Sequence, residues 1–273
     1  MTDLRDILFG RINPAELLQG ATGKGVKVAV VDSGVDNKHP DLKDHVKGGC
    51  VVAEEATGKI ITKPYDGEDA AGHGTGCAGI IAKFAPEAEI YSVRVLACIG
   101  IGPDGYKMAA GKPKHLIYGL NWAIENCHVI NTSNGLIVSE GTAYFEAFHK
   151  IVEKAYYRDR ILVAAGENQG YPSFPSIFSN LIKVYWDTYK DPFHFVYQLK
   201  PNTFTEFIAH GNRVIVPQPG GGYIEEFGTS FATPHVTAAV ALLLSKYPGL
   251  KPFQVKSLIY AMSQKSAPGA GSV

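Results

Sequence analysis

Short apolar runs alternate along this chain with longer segments of helical period. Val26-Lys-Val-Ala-Val-Val31 is rich in β-branched residues and ends at the turn signal Asp32-Ser-Gly34, which predicts a buried strand. Ile90–Val95, Val129–Thr132, Ile161–Ala165 and Leu181–Tyr185 carry the same pattern. Between them Leu116, Ile117, Leu120, Ala123 and Ile124 fall on one helical face, as do Tyr144, Phe145, Phe148, Ile151, Val152 and Ala155. Thr233 to Lys246 is apolar almost all round and predicts a buried helix; Val255, Leu258, Ile259 and Met262 mark a final amphipathic one. Strands alternating with helices of this length imply βαβ units. The expected fold is α/β, a three-layer arrangement of a mostly parallel twisted sheet with helices on both faces.

The 273 residues show no internal repeat and no Pro-, Gly- or Ser-rich linker that would split them. One domain over residues 23–264 is expected, with an N-terminal arm over 1–22 and a disordered tail over 265–273. Lys+Arg and Asp+Glu are both 26, so the formal net charge is zero. That balance lacks the electrostatic footprint of a nucleic-acid binder or a polybasic membrane-surface protein. The longest apolar stretch, Val236 to Leu244, falls far short of a membrane span. Cys50, Cys77, Cys98 and Cys127 form neither a disulfide scaffold nor a CxxC pair.

Three residues stand where chemistry is feasible. Asp32 closes the first predicted strand, at the sheet edge where open α/β folds place ligands. His73 lies in Gly72-His-Gly-Thr-Gly76, whose glycines leave the imidazole accessible and let other backbone approach. Ser230 lies in Gly228-Thr-Ser-Phe-Ala-Thr-Pro-His235, just before the buried helix. Taken singly, each has an ordinary reading: a turn organiser, a structural histidine, a helix N-cap. Together they supply a nucleophile, a base and a carboxylate to orient the base. A serine at a helix N-terminus also places its own N–H and the positive end of the dipole where an oxyanion would form.

Val30-Val-Asp-Ser-Gly-Val-Asp-Asn-Lys-His-Pro-Asp-Leu42, His73-Gly-Thr-Gly-Cys-Ala-Gly79 and Gly228-Thr-Ser-Phe-Ala-Thr-Pro-His-Val236 resemble the three signature blocks of the subtilisin-like serine proteases. The resemblance runs from about Lys24 to about Met262. It implies the subtilase fold, with Asp32, His73 and Ser230 as the catalytic triad in the Asp, His, Ser order of that family. It also implies that Ser133-Asn134-Gly135, after the strand Val129–Thr132, pairs with substrate backbone by β-augmentation.

The chain departs from the family pattern in several places. Family members carry Ala-Ala-Gly-Asn where this chain reads Ala164-Ala-Gly-Glu-Asn-Gln-Gly170. Without a gap Glu167 takes the place of the second oxyanion donor; with one inserted residue Asn168 does. Asn168 is the preferred assignment, because an ionised carboxylate would repel a developing oxyanion while a protonated Glu167 could donate to it. Ala78 to Glu89 passes straight to the next strand, without the long loop that builds a calcium site in many relatives. Asp41 resembles one ligand of such a site, but a hard cation needs six to eight oxygens, so no metal and no cofactor are expected. Gly170-Tyr-Pro172 follows Asn168 almost at once. An open specificity pocket is therefore expected, with Gly170 near its floor. Gly220-Gly-Gly222 reads as a turn, and Cys77 as a buried small residue rather than a nucleophile paired with His73.

The resemblance implies a serine endopeptidase that acts on peptide or protein substrates through an acyl-enzyme on Ser230. Two alternatives stand beside it. One is a transacylase or macrocyclase of the same fold, for which Ile99 to Lys114 is the candidate shielding insertion. The other is a pseudo-protease binding module, suggested by Glu167. No leader is recognisable at the N-terminus, and a cytoplasmic location is the expectation.

Overall fold

The computed structural model describes residues 14–102, 107–198 and 205–265. A ten-stranded sheet runs through the molecule. Its order is Gln264–Lys265, Val196–Tyr197, Phe207–His210, Ile182–Asp187, Ile161–Ala165, Val129–Thr132, Lys27–Asp32, Glu89–Arg94, Val46–Glu54, Ile60–Pro64. Pairing is parallel from Phe207–His210 through to Val46–Glu54. It turns antiparallel where Ile60–Pro64 and Val196–Tyr197 join. Each strand read from the apolar runs is present to within two residues.

Alternation along the first strand explains the layers. Val28 and Val30 pack with the helices His73–Phe84 and Thr229–Lys246. Ala29 and Val31 point the other way, to the helices Pro113–Asn126 and Phe145–Tyr157. A strand buried on both faces is therefore apolar along its middle, here from Val28 to Val31. Phe148, fully buried on the second side, stacks on Phe174 at 5.1 Å; truncating such a ring to Ala costs about 3–5 kcal/mol.

The helix at Thr229–Lys246 starts four residues before its predicted beginning. Pro234 lies inside this helix and cannot donate to the carbonyl of Ser230 four residues back. That carbonyl is satisfied from outside the helix, by the Ser133 hydroxyl at 2.9 Å and the Cys77 thiol at 3.4 Å.

The tail boundary also needs correction. Lys265, assigned to the tail, pairs with Tyr197 at the sheet edge. Most of the arm (1–13) and of the tail (266–273) lies outside the described residues. Three hairpins had no counterpart in the sequence reading: Val46–Glu54 with Ile60–Pro64, Ala97–Ile101 with Lys107–Ala110, and Val214–Pro217 with Tyr223–Glu226. Gly220, Gly221 and Gly222 all have positive φ in the turn of the last. Among the described residues, no helix is long and apolar enough to cross a membrane.

Candidate active site

Three adjacent parallel strands deliver the site. Asp32 is the last residue of Lys27–Asp32, Ser133 follows Val129–Thr132, and Glu167 and Asn168 follow Ile161–Ala165. Their carboxyl ends share one edge of the sheet, where loops rather than ladders set the chemistry.

Asp32 is fully buried, and its Oδ1 accepts from the Ser33 N–H at 2.7 Å and from His73 Nδ1 at 2.8 Å. His73 is the first residue of its helix. The approach requires Gly74, because a Cβ there would stand 2.0 Å from the Gly34 carbonyl oxygen and 3.1 Å from Asp32 Cβ. Gly72, the N-cap, has no side chain to cap with. Asp69 does that work from three residues upstream. Its Oδ1 accepts from the N–H groups of Ala71 (3.0 Å) and Gly72 (2.8 Å) and from the Ser33 hydroxyl (2.7 Å). Its Oδ2 takes the Thr75 N–H at 2.8 Å and hydroxyl at 2.6 Å. One carboxylate thus joins the His73 turn to the Asp32 turn. Burial opposes charge on His73, but the neighbouring carboxylates of Asp32, Asp69 and Glu226 outweigh it and hold the imidazole above its ordinary pKa.

Ser230 is the second residue of its helix rather than the cap, which is Gly228. In that position its N–H has no intrahelical acceptor and remains available. Its Oγ donates to the Ser133 carbonyl at 2.9 Å. Among the described residues, no hydrogen bond joins it to His73. The Ser133 hydroxyl in turn donates to the Ser230 carbonyl and accepts from Asn131 Nδ2 at 3.1 Å, and Asn131 is tied to Thr237 at 2.8 Å. Ser133 is thus buried support for Ser230. Of the three residues assigned to the substrate edge, Gly135 is exposed, and Asn134 is anchored through its Nδ2 to the Val31 carbonyl at 2.6 Å.

A pocket of about 150 Å³ joins Ser230, Asn134, Gly135, Gly166, Glu167 and Asn168. Asn168 Oδ1 accepts from the Thr229 N–H at 3.0 Å and from the Thr229 hydroxyl at 3.2 Å. The oxygen end is therefore spent on the helix N-terminus, which leaves the Nδ2 end as the donor. Glu167 is engaged differently: its Oε2 accepts the N–H groups of Gln169 (2.8 Å) and Tyr171 (3.1 Å). Gly170 is not the floor. It sits in the exposed turn closed by Gly170 N–H to the Glu167 carbonyl, and does not line the pocket. Gly166 lines it instead, and a Cβ there would meet the Tyr185 ring at 2.4 Å. The turn of this loop carries Gly170 outward, where position along the chain alone does not show it.

Among the described residues, the one group of three His, Cys, Asp or Glu side chains with ligand atoms within 4.8 Å of one another is Asp32, His73 and Cys77. Two of these are bonded to each other. Burial pushes the third, the Cys77 thiol, well above its ordinary pKa, so it stays a protonated donor to the Ser230 carbonyl. Asp41, the ligand-like residue, accepts from the Tyr223 hydroxyl at 2.9 Å.

Comparison with known proteins agrees with this geometry. Residues 23–193 and 201–271 match the Subtilase family, peptidase S8. Subtilisin NAT of Bacillus subtilis subsp. natto is 35% identical over 263 residues, covering 89% of this chain and 61% of that protein. Subtilisin of Bacillus pumilus is 34% identical over 259 residues, covering 89% and 85%. The crystal structure of a cold-adapted subtilisin-like serine proteinase superposes with a TM-score of 0.68 at 26% identity, over 88% of this chain and 82% of that one. The first of these relatives is longer than the matched region, so the chain spans about three-fifths of its length. The sequence blocks, the doubly covered parallel sheet and these matches place the chain in the subtilase family.

Proposed function

We propose that this chain is a serine endopeptidase. Ser230 attacks the peptide carbonyl, His73 takes its proton and returns it to the leaving amine, and Asp32 keeps the imidazole in the tautomer that leaves Nε2 free as a base. The observation that carries this reading is the 2.8 Å bond between buried Asp32 and His73 Nδ1, set beside a serine in the first turn of a buried helix. Attack requires Ser230 Oγ to leave the Ser133 carbonyl and turn to His73. The Ser230 N–H and Asn168 Nδ2 serve as oxyanion donors. Asn168 is supported over Glu167 because its oxygen is already held by Thr229, whereas the Glu167 carboxylate accepts bonds from its own loop. That same engagement speaks against Glu167 as grounds for a binding module. Gly135 offers the exposed backbone edge for an extended peptide, and Gly166 over Tyr185 is the pocket floor.

One observation favours a second reading, transfer of the acyl group to an amine. The hairpin Ala97–Ile101 with Lys107–Ala110 exposes Ile99, Ile101 and Met108, and Lys107 reaches a cavity that contains His73. An apolar flap there would keep water from the acyl-enzyme.

Incubation with a mixed peptide library and mass-spectrometric readout tests both. Cleaved products, together with phosphonate labelling that disappears in Ser230→Ala, are expected. Undiminished labelling of Ser230→Ala would remove Ser230 as nucleophile, and cyclised or transferred products would favour the second reading.

A further inference from the structure

A second cavity, of about 170 Å³, adjoins the triad. His73, Phe231, Ile224, Glu226, Gln218 and Lys107 are among the residues that line it. It shares no lining residue with the pocket around Ser230 and Asn168. On the endopeptidase reading, the acyl carbonyl lies in that first pocket, while the departing amine takes its proton from His73. The chain beyond the scissile bond therefore leaves past His73, along this second cavity.

Glu226 gives the cavity its chemistry. Side chains of the strand Tyr223–Glu226 alternate between faces. Tyr223 and Glu225 are exposed, Ile224 and Glu226 half-buried. Glu225 turns outward to Arg213, at 3.1 Å, while Ile224 and Glu226 line the cavity. Among the described residues, no cation forms a salt bridge with Glu226. Lys107 lines the same cavity but is exposed, so water screens its charge more than that of the half-buried carboxylate. The Glu226 carboxylate shares this lining with His73 and contributes to holding its imidazole above the ordinary pKa.

We infer that Glu226 makes this cavity a subsite for a basic side chain, so that the enzyme favours Lys or Arg immediately after the scissile bond. This rests on the endopeptidase reading. A half-buried carboxylate without a cation partner gains most from an incoming ammonium or guanidinium group, and repels an acidic side chain.

The test is a competition among peptides identical except for that residue, which is Lys, Arg, Ala or Glu, at pH 8 and low salt, read by mass spectrometry. Wild-type kcat/KM is expected to be about tenfold higher for Lys and Arg than for Ala, and lower for Glu than for Ala. Glu226→Gln brings the Lys-to-Glu ratio towards one, and Glu226→Lys inverts it. Because each result is a ratio within one variant, changes in overall activity cancel. A Lys-to-Glu ratio unchanged in Glu226→Gln overturns the subsite while leaving the endopeptidase reading intact. No cleavage of any peptide, together with no phosphonate labelling of Ser230, overturns both.

Discussion

Asp32 and His73 are fixed by a closed network of buried and half-buried hydrogen bonds, the sealed side of the site, whereas the loop that carries Asn168 stands largely in water. On the first side Asp69 accepts five hydrogen bonds that lock two turns together, and Gly74 lets the backbones meet. On the second, residues 168–171 are exposed, and the loop is shaped by three bonds to Glu167 and by Asn168 holding Thr229. The difference matches the tasks. A base and its carboxylate must keep one geometry throughout the cycle, while an oxyanion donor contributes only in the transition state and must admit substrate beforehand.

The largest effect should come from breaking the sealed side. Asp32→Asn places an amide against His73 Nδ1 and favours the wrong tautomer; kcat is expected to fall by about 10⁴, with the fold retained by circular dichroism. A drop of tenfold or less would mean that Asp32 does not orient the base.

Ser133→Ala sharpens the comparison at the junction of the two sides. It removes the hydroxyl that satisfies the Ser230 carbonyl, leaving the weaker Cys77 donor alone. A lost hydrogen bond to a buried carbonyl costs about 1–3 kcal/mol. Because that cost falls on the turn that carries Ser230, the proposed nucleophile, kcat should drop roughly tenfold with KM little changed, alongside a lower Tm. An unchanged kcat with lowered Tm would make Ser133 structural only.

The smallest expected effect is on pH dependence. His73 must be neutral to act as a base, so kcat/KM is lost as pH falls through its raised pKa. Asp32, Asp69 and Glu226 are the charges that raise it, against burial. Glu226→Gln removes one of them, so the acid limb should move to lower pH while remaining above that expected for a lone buried imidazole. A limb that moves upward would contradict the sign.

Much of the sealed side was legible in the sequence because it is built from short contiguous blocks whose glycines have no substitute. Asp32 and His73 meet as those blocks imply, and Ser230 stands in the first turn of its own helix, with its hydroxyl on the Ser133 carbonyl. Asp69 was missed, since it caps from outside the conventional N-cap position; its signal was an acid three residues before Gly72 in a turn. That the Ser133 hydroxyl supports the Ser230 carbonyl is not legible in the sequence, because neither its burial nor the gap left by Pro234 exists until the two strands and the helix pack. Gly170 and Gly166 were confused for a simpler reason. In an exposed loop no periodicity fixes which residue faces inward, and hydrogen bonds to Glu167 decide it. The hairpins escaped for the same cause: Val46–Glu54, with Gly48 and Gly49 inside it, gains its place from pairing with Glu89–Arg94 rather than from its own pattern.

Steady-state kinetics on Asn168→Ala test the proposed oxyanion donor most directly. Losing one donor of this kind costs about 10²–10³ in rate, or roughly 2.7–4 kcal/mol. In Asn168→Ala kcat is expected to fall by that factor with KM nearly unchanged, and Glu167→Gln, assayed in parallel, should be mild. A near-wild-type Asn168→Ala enzyme, with the large loss appearing in Glu167→Gln instead, would contradict Asn168 as that donor.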